Sequence, residues 1–172
     1  SNIMQAIQRN QIAANEPDPE PLYYNIWNRN EIAILAGETG VGKSILAVDM
    51  LVELALKGLR VLYYDFELSR KQFAERYKGY LFPENFYIAE WDPDPDEPNP
   101  NFNFDVIESD IETTGIDIIC IDNISALSIK NTVDPDAALH VMRGLKRLQK
   151  QAGLSALVLA HVPKRPATNP MT

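Results

Sequence analysis

The sequence predicts an α/β domain built on a doubly wound, mostly parallel sheet. Short apolar runs alternate with amphipathic helical patterns from about residue 31 onward. The apolar runs are nearly continuous, which is typical of parallel strands that are covered on both faces. The chain has 172 residues, of which 45% are hydrophobic. That length suffices for one such domain with a substantial core.

Five strands and four helices are expected in this alternation. The strands are predicted at 31–36, 60–66, 86–89, 117–122 and 156–161. The helices are predicted at 43–57, 69–80, 104–114 and 135–152. Asp134 and Pro135 suit a helix start, and Gly153 suits the end of the same helix. In an open sheet of this type, ligands bind at the carboxyl ends of the strands.

Residues 1–21 are expected to form an N-terminal arm, followed by one domain over residues 22–172. A thin apolar stripe predicts a short helix within 3–14, and alternating acids and prolines predict a stiff linker over 16–21. A second acidic, proline-rich stretch lies at 92–97. The two stretches carry seven negative charges and leave −1 for the rest of a chain whose net charge is −8. The net charge therefore does not exclude a nucleic-acid partner.

Composition excludes a disulfide-stabilised secreted domain and a protein with a membrane-spanning helix. Cys120 is the single cysteine, so no internal disulfide can form. No apolar stretch approaches the 18 or so residues of a membrane-spanning helix, and no leader sequence is apparent. A cytoplasmic protein without a membrane partner is expected.

The strongest motif follows the first predicted strand and matches the phosphate-binding pattern G-x-x-x-x-G-K-[ST]. Its residues are Gly37, Glu38, Thr39, Gly40, Val41, Gly42, Lys43 and Ser44. Glycines let backbone N–H groups point at an anion, and the following helix directs its positive N-terminal dipole at the same place. Lys43 is expected to contact the β- and γ-phosphates, and Ser44 to contact Mg²⁺.

Acidic residues follow two other strands. Asp122 ends an apolar strand, and we expect it beside Ser44, where it would hold the water shell of Mg²⁺. If strand 60–66 neighbours the phosphate-loop strand, Glu67 is placed to orient and deprotonate an attacking water. Asp65 lies on the same face of that strand and is the competing candidate. Alternatively, both acids cap the helix that starts near Ser69.

Other features carry weaker signals. His161 ends the last strand, where it either senses the γ-phosphate or simply packs. Tyr23, Tyr24 and Trp27 precede the phosphate-loop strand, and they are either core aromatics or a platform for adenine. A cationic helix face is either solvated or a contact for single-stranded nucleic acid or for a neighbour's acidic loop. Its members are Arg143, Lys146, Arg147 and Lys150.

The order of phosphate loop, Glu strand, Asp strand and His strand resembles the RecA-like P-loop ATPases. Within them it resembles the branch that contains RepA-type plasmid replication helicases and DnaB-type replicative helicases. The matching segments are 32–44, 62–69, 121–127 and 160–164. Ala160 stands where that branch has the first histidine of a His-His pair.

The resemblance implies ATP hydrolysis with Mg²⁺, in which Glu67 is the catalytic carboxylate, assisted by Lys43. It implies that Asp122 serves the metal and that His161 links the phosphate to DNA-contacting loops. It also implies a homo-oligomeric ring or filament, with the nucleotide at a subunit interface, and single-stranded DNA as a partner. Such proteins usually continue beyond this point, so a C-terminally incomplete fold with weak turnover is expected. The alternatives are an ATP-gated assembly module and a P-loop kinase.

Overall fold

The computed structural model describes residues 3–38, 40, 42–90, 104–130 and 136–162. The helices are α1 (Ala6–Ala14), α2 (Gly42–Leu56), α3 (Arg70–Arg76), α4 (Phe104–Thr114), α5 (Ser125–Lys130) and α6 (Ala137–Ala152). The strands are β1 (Pro21–Tyr23), β2 (Trp27–Asn28), β3 (Ile32–Gly37), β4 (Val61–Asp65), β5 (Phe86–Glu90), β6 (Ile118–Asp122) and β7 (Ser155–His161).

In the described part of the chain, five strands form one parallel sheet in the order β3-β7-β6-β4-β5. This architecture confirms the predicted α/β fold and is a RecA-like arrangement. Because all five strands run the same way, their carboxyl ends meet at one edge of the sheet. Gly37, Asp65, Asp122 and His161 are the last residues of β3, β4, β6 and β7, respectively.

Two hydrophobic cores cover the two faces of the sheet. One joins α4, α5 and α6 to the face that carries Tyr64 and Ile121. The other joins α2, α3 and the β1–β2 hairpin to the face that carries Tyr63 and Cys120. Successive side chains of a strand point to opposite faces, so β4 contributes to both cores. This burial on both sides explains why the strand sequences are almost continuously apolar.

The strand bounds differ from the predicted ones by one residue at most, but two helices differ more. The helix predicted over 69–80 ends at Arg76, because its C-cap Tyr77 leaves helical geometry, with φ of −110° and ψ of 24°. The last helix begins at Ala137 with Asp136 as its N-cap, whereas Asp134 and Pro135 lie outside the described residues. Its predicted end is confirmed, since Gly153 adopts a left-handed conformation with φ of +68°.

The N-terminal region contains a hairpin that the sequence analysis missed. Trp27 on β2 is buried, and its indole Nε1 donates a hydrogen bond to the carbonyl of Glu31 at 3.0 Å. Tyr24 occupies the turn with φ of +46° and is exposed. The aromatic residues before the phosphate-loop strand therefore have different environments: Trp27 lies in the core and Tyr24 on the surface. Helix α1 confirms the short helix that was expected, and none of its residues is buried.

The acidic stretch at 92–97 lies outside the described residues. Over the residues that are described, no helix has both the length and the apolar character needed to cross a membrane.

Helices α4 and α6 pack so closely that one position of α6 accepts no side chain. A Cβ atom added to Gly144 would lie 2.3 Å from the ring of Phe104. Gly144→Ala is therefore expected to destabilise the domain, since overpacking a filled core costs ~1–3 kcal/mol. That cost outweighs the ~1 kcal/mol by which Ala is better than Gly inside a helix. Urea unfolding measures the change.

Gly79→Ala is the matched control, because a Cβ at Gly79 meets no atom within 4 Å. A Gly144→Ala protein as stable as the wild type would contradict the packing described here.

Candidate functional site

The phosphate-loop motif connects β3 to α2 at the carboxyl edge of the sheet. A Cβ added to Gly40 or Gly42 would meet nothing within 4 Å, so tight packing is not the reason for glycine at these positions. The open space is suited to an anion that approaches the backbone closely. Thr39 and Val41 lie outside the described residues.

Lys43 and Ser44 lie in the first turn of α2 and point to different parts of the site. The Lys43 ammonium group donates a hydrogen bond to the carbonyl of Glu38, and its side chain packs along Gly37. The ammonium is thus held at the loop itself. Ser44 is buried, and its hydroxyl group lies close enough to Asp122 to lower the pKa of that carboxyl. The predicted proximity of Ser44 and Asp122 is present.

Asp122 is 4% exposed, and the two oxygens of its carboxyl group differ in their hydrogen bonding. Oδ2 accepts a hydrogen bond from the Tyr63 hydroxyl, whereas Oδ1 is buried without a hydrogen-bond partner among the residues described. Burial raises the pKa of Asp122, and the hydroxyls of Tyr63 and Ser44 oppose that rise. A nearby cation would stabilise the charged form of a carboxylate in this position.

The condition on which Glu67 was placed in the site, adjacency of its strand to the phosphate-loop strand, is not met. Strands β7 and β6 lie between β3 and β4. Glu67 nevertheless approaches the same edge, because the backbone N–H of Phe66 donates to the carbonyl of Asp122 at 2.8 Å. Its Oε1 lies 3.9 Å from Nδ1 of His161, on the strand that neighbours β3. The turn after β4, not strand adjacency, brings Glu67 into the site.

Asp65 shapes that turn. Its Oδ1 accepts hydrogen bonds from the backbone N–H groups of Glu67 and Leu68, both at 2.8 Å. Burial raises the pKa of Asp65 to about 6, although these two bonds favour the charged form. Helix α3 is capped instead by Ser69, which forms a reciprocal capping box with Gln72. Capping of this helix by the two acids, the alternative reading, is therefore wrong.

His161 is tied to the segment that follows β6. Its Nε2 lies 3.2 Å from Nδ2 of Asn123, and its backbone N–H donates to Oγ of Ser125 at 3.2 Å. The other ring nitrogen, Nδ1, faces Glu67. The sequence analysis had assigned no role to Asn123 or Ser125. The sequence pattern that could have identified them is the Asp-Asn-x-Ser run at the end of β6.

The profile of the AAA domain family AAA_25 matches residues 2–167 of the chain. The chain belongs to this family. It is thus a P-loop ATPase domain of the RecA-like kind, a type found in replicative helicase-like proteins. The comparison with curated proteins found no match.

The Mg²⁺ that usually accompanies nucleotide in such a domain fits the donors present. Ser44 and Asp122 offer the hard oxygen ligands that Mg²⁺ prefers, and Oδ1 of Asp122 is a buried acceptor with no hydrogen-bond partner in the described part of the chain. Within the described ranges, no three His, Cys, Asp or Glu side chains converge as a self-contained metal site. The donor set is therefore that of an ion held by few protein oxygens, with phosphate oxygens and water as further ligands.

An apolar cavity of about 480 Å³ lies beside this site, between α3 and β5. Phe73, Tyr77, Phe82 and Ile88 line much of it. It contains neither the glycine loop nor the start of α2, so we do not assign phosphate binding to it.

The cationic face of α6 is exposed as expected, but one member is engaged. Arg147 forms an ion pair with Glu108 at 2.8 Å and lies over the ring of Phe104 at 5.6 Å. Arg147 therefore ties α6 to α4. Contact of the other three cations with nucleic acid stays a prediction.

The raised pKa of Asp65 predicts how stability responds to pH. Its ordinary value is 3.8, so between pH 4 and 6 the folded state binds this proton more tightly than the unfolded chain does. The contribution of Asp65 to stability is therefore greatest below about pH 4 and falls as the pH rises through about 6. Asp65→Asn keeps the Oδ1 acceptor and removes the titration. Urea unfolding should show that the free energy of unfolding of the variant, relative to that of the wild type, increases between pH 4 and 7.

Glu75→Gln, at an exposed carboxyl of α3, is the control and should show no such trend. A stability difference between Asp65→Asn and wild type that stays constant with pH would contradict the assignment.

Proposed function

We propose that this AAA domain binds ATP with Mg²⁺ and hydrolyses it, as a helicase-like motor domain in DNA replication or mobilisation. The observation that carries the proposal is the buried Asp122 carboxyl beside Ser44, whose Oδ1 has no hydrogen-bond partner within the described ranges. A buried carboxylate oxygen without a hydrogen bond is energetically unfavourable. Its presence at this position is therefore explained best by a cationic ligand.

The phosphates are held by the loop and by Lys43. Backbone N–H groups between Gly37 and Ser44 would contact the β-phosphate, and the Lys43 ammonium would exchange the Glu38 carbonyl for β- and γ-phosphate oxygens. Ser44 and Asp122 hold the metal, directly and through its water shell. When bound, Mg²⁺ supplies charge neutralisation at the phosphate oxygens.

Glu67 is the proposed general base. Its side chain is 41% exposed and extends from a turn that Asp65 fixes, so it can take a proton from a water beside the γ-phosphate. Asp65 is less suited to that role, since both backbone N–H groups of the turn occupy its Oδ1. His161 lies between Glu67 and Asn123 and is the proposed sensor that transmits phosphate occupancy to the segment after β6.

Glu67→Gln is expected to lower the rate of ATP hydrolysis by ~10²–10⁴-fold, the usual contribution of a general base. ATP affinity should stay within about twofold of wild type, because phosphate contacts at the loop are intact. Steady-state phosphate release and equilibrium binding of a fluorescent ATP analogue give the two quantities. Lys43→Ala should instead weaken binding, and Glu75→Gln should change neither.

The competing carboxyl is tested in the same assay. If Asp65→Asn abolished turnover while Glu67→Gln did not, Asp65 would be the base. ATP binding without turnover in the wild type would favour an ATP-gated assembly module. Phosphate transfer to a small acceptor would favour a kinase.

The DNA partner is tested by turnover with and without single-stranded DNA. A motor domain should hydrolyse ATP faster with DNA and should assemble into a larger species with Mg²⁺ and ATP in size exclusion. If α6 contacts the strand, Lys146→Glu with Lys150→Glu should weaken DNA binding. The slope of log affinity against log salt should fall by ~0.7 for each lost phosphate contact. Lys57→Glu, at an exposed lysine after α2, is the control. A rate and size indifferent to DNA would contradict the motor role.

A further inference from the structure

Tyr63 is a buried residue of β4 whose hydroxyl group reaches across to β6. The side chain is 1% exposed, and the hydroxyl donates a hydrogen bond to Oδ2 of Asp122. We propose that Tyr63 is a positioning residue that holds Oδ2 of Asp122, so that Oδ1 stays available to the Mg²⁺ shell. This inference rests on the proposed function, since it assumes that Asp122 serves the metal.

The register of the two strands makes the contact possible. Tyr63 pairs with Cys120, two residues before Asp122, in the parallel β4–β6 ladder. Side chains two residues apart share a face and lie about 6.6 Å apart along a strand. A tyrosine is long enough to span that offset and ends in a hydrogen-bond donor. A shorter side chain at position 63 could not reach the Asp122 carboxylate.

The Tyr63 ring is fixed by its neighbours. Its ring centroid lies 5.7 Å from that of Phe73 on α3 and 6.3 Å from that of Phe86 on β5. Packing on both sides determines where the hydroxyl points. The donor is therefore preorganised, and it restricts rotation of the Asp122 carboxyl about its terminal bond.

Anchoring one oxygen has a specific consequence for the other. Oδ1 has no partner among the described residues, and the Ser44 hydroxyl lies nearby. Without the Tyr63 hydroxyl, Oδ2 would lose its hydrogen bond and rotation of the carboxyl group would be less restricted. Partners that orient metal-binding side chains contribute ~10–100-fold to metal affinity. Tyr63 should therefore affect Mg²⁺-dependent binding and leave Mg²⁺-free nucleotide contacts unchanged.

The test compares Tyr63→Phe with Tyr64→Phe. Both changes remove one hydroxyl from β4, but Tyr64 lies on the opposite face, where its hydroxyl bonds to Asp110. Binding of a fluorescent ATP analogue is titrated with Mg²⁺ for each protein, and melting temperatures verify that each is folded. We expect Tyr63→Phe to raise the half-saturating Mg²⁺ concentration ~10-fold. Affinity in EDTA should be unchanged, and Tyr64→Phe should match wild type in both measurements.

A double-mutant cycle separates positioning from general loosening of the core. Asp122→Ala should itself raise the Mg²⁺ requirement, and adding Tyr63→Phe to it should have little further effect, because the two residues act through one contact. Tyr63→Met, which also lacks the hydroxyl, serves as a second variant if Tyr63→Phe is unstable.

Three results would overturn the inference: an unchanged Mg²⁺ titration in a folded Tyr63→Phe protein, an equal loss of affinity in EDTA, or full additivity with Asp122→Ala. Failure of the proposed function is distinguishable from these. In that case the wild type itself would bind no ATP, or would bind it without any response to Mg²⁺.

Discussion

The site is organised around one buried carboxyl group, that of Asp122 at the end of the central strand β6. A charged group in such a position is unfavourable unless it is paired. The protein supplies the Tyr63 hydroxyl to one oxygen and leaves the other without a partner among the described residues. Burial accordingly raises the pKa of this carboxyl. The roles proposed for the surrounding groups depend on this carboxyl, of which only one oxygen accepts a hydrogen bond from Tyr63.

The parallel sheet brings these groups together although they are far apart in the sequence. Strand β6 lies between β7 and β4, so Asp122 has His161 on one side and the turn that carries Glu67 on the other. The N–H of Phe66 donates to the Asp122 carbonyl and draws that turn to the sheet edge. The phosphate loop joins through β3, which pairs with β7 and places Gly37 opposite His161. Each element contributes one group, and none of them forms the site alone.

How much the sequence could predict depends on how local each feature is. The loop from Gly37 to Ser44 is a local pattern with its own physical reason, so it could be read directly. Strand order is set by packing across the whole domain, so the sequence left open whether β4 neighbours β3, and in the fold β7 and β6 lie between them. The contact between Tyr63 and Asp122 depends on the register of strands that are 57 residues apart in sequence. No local pattern specifies that register. The conformation of Tyr24, with its positive φ, likewise has no marker in the neighbouring residues.

The most direct test of this account locates the nucleotide-bound metal. At 19.4 kDa, the chain is suited to amide NMR with Mn²⁺ in place of Mg²⁺. With Mn²⁺ and ATP, the amide signals of Gly42, Ser44 and Asp122 should broaden strongly, and those of Phe82 and Ile88 beside the apolar cavity should broaden less. Broadening centred on Phe82 and Ile88, or none that depends on ATP, would contradict the proposed site at the carboxyl edge of β3 and β6.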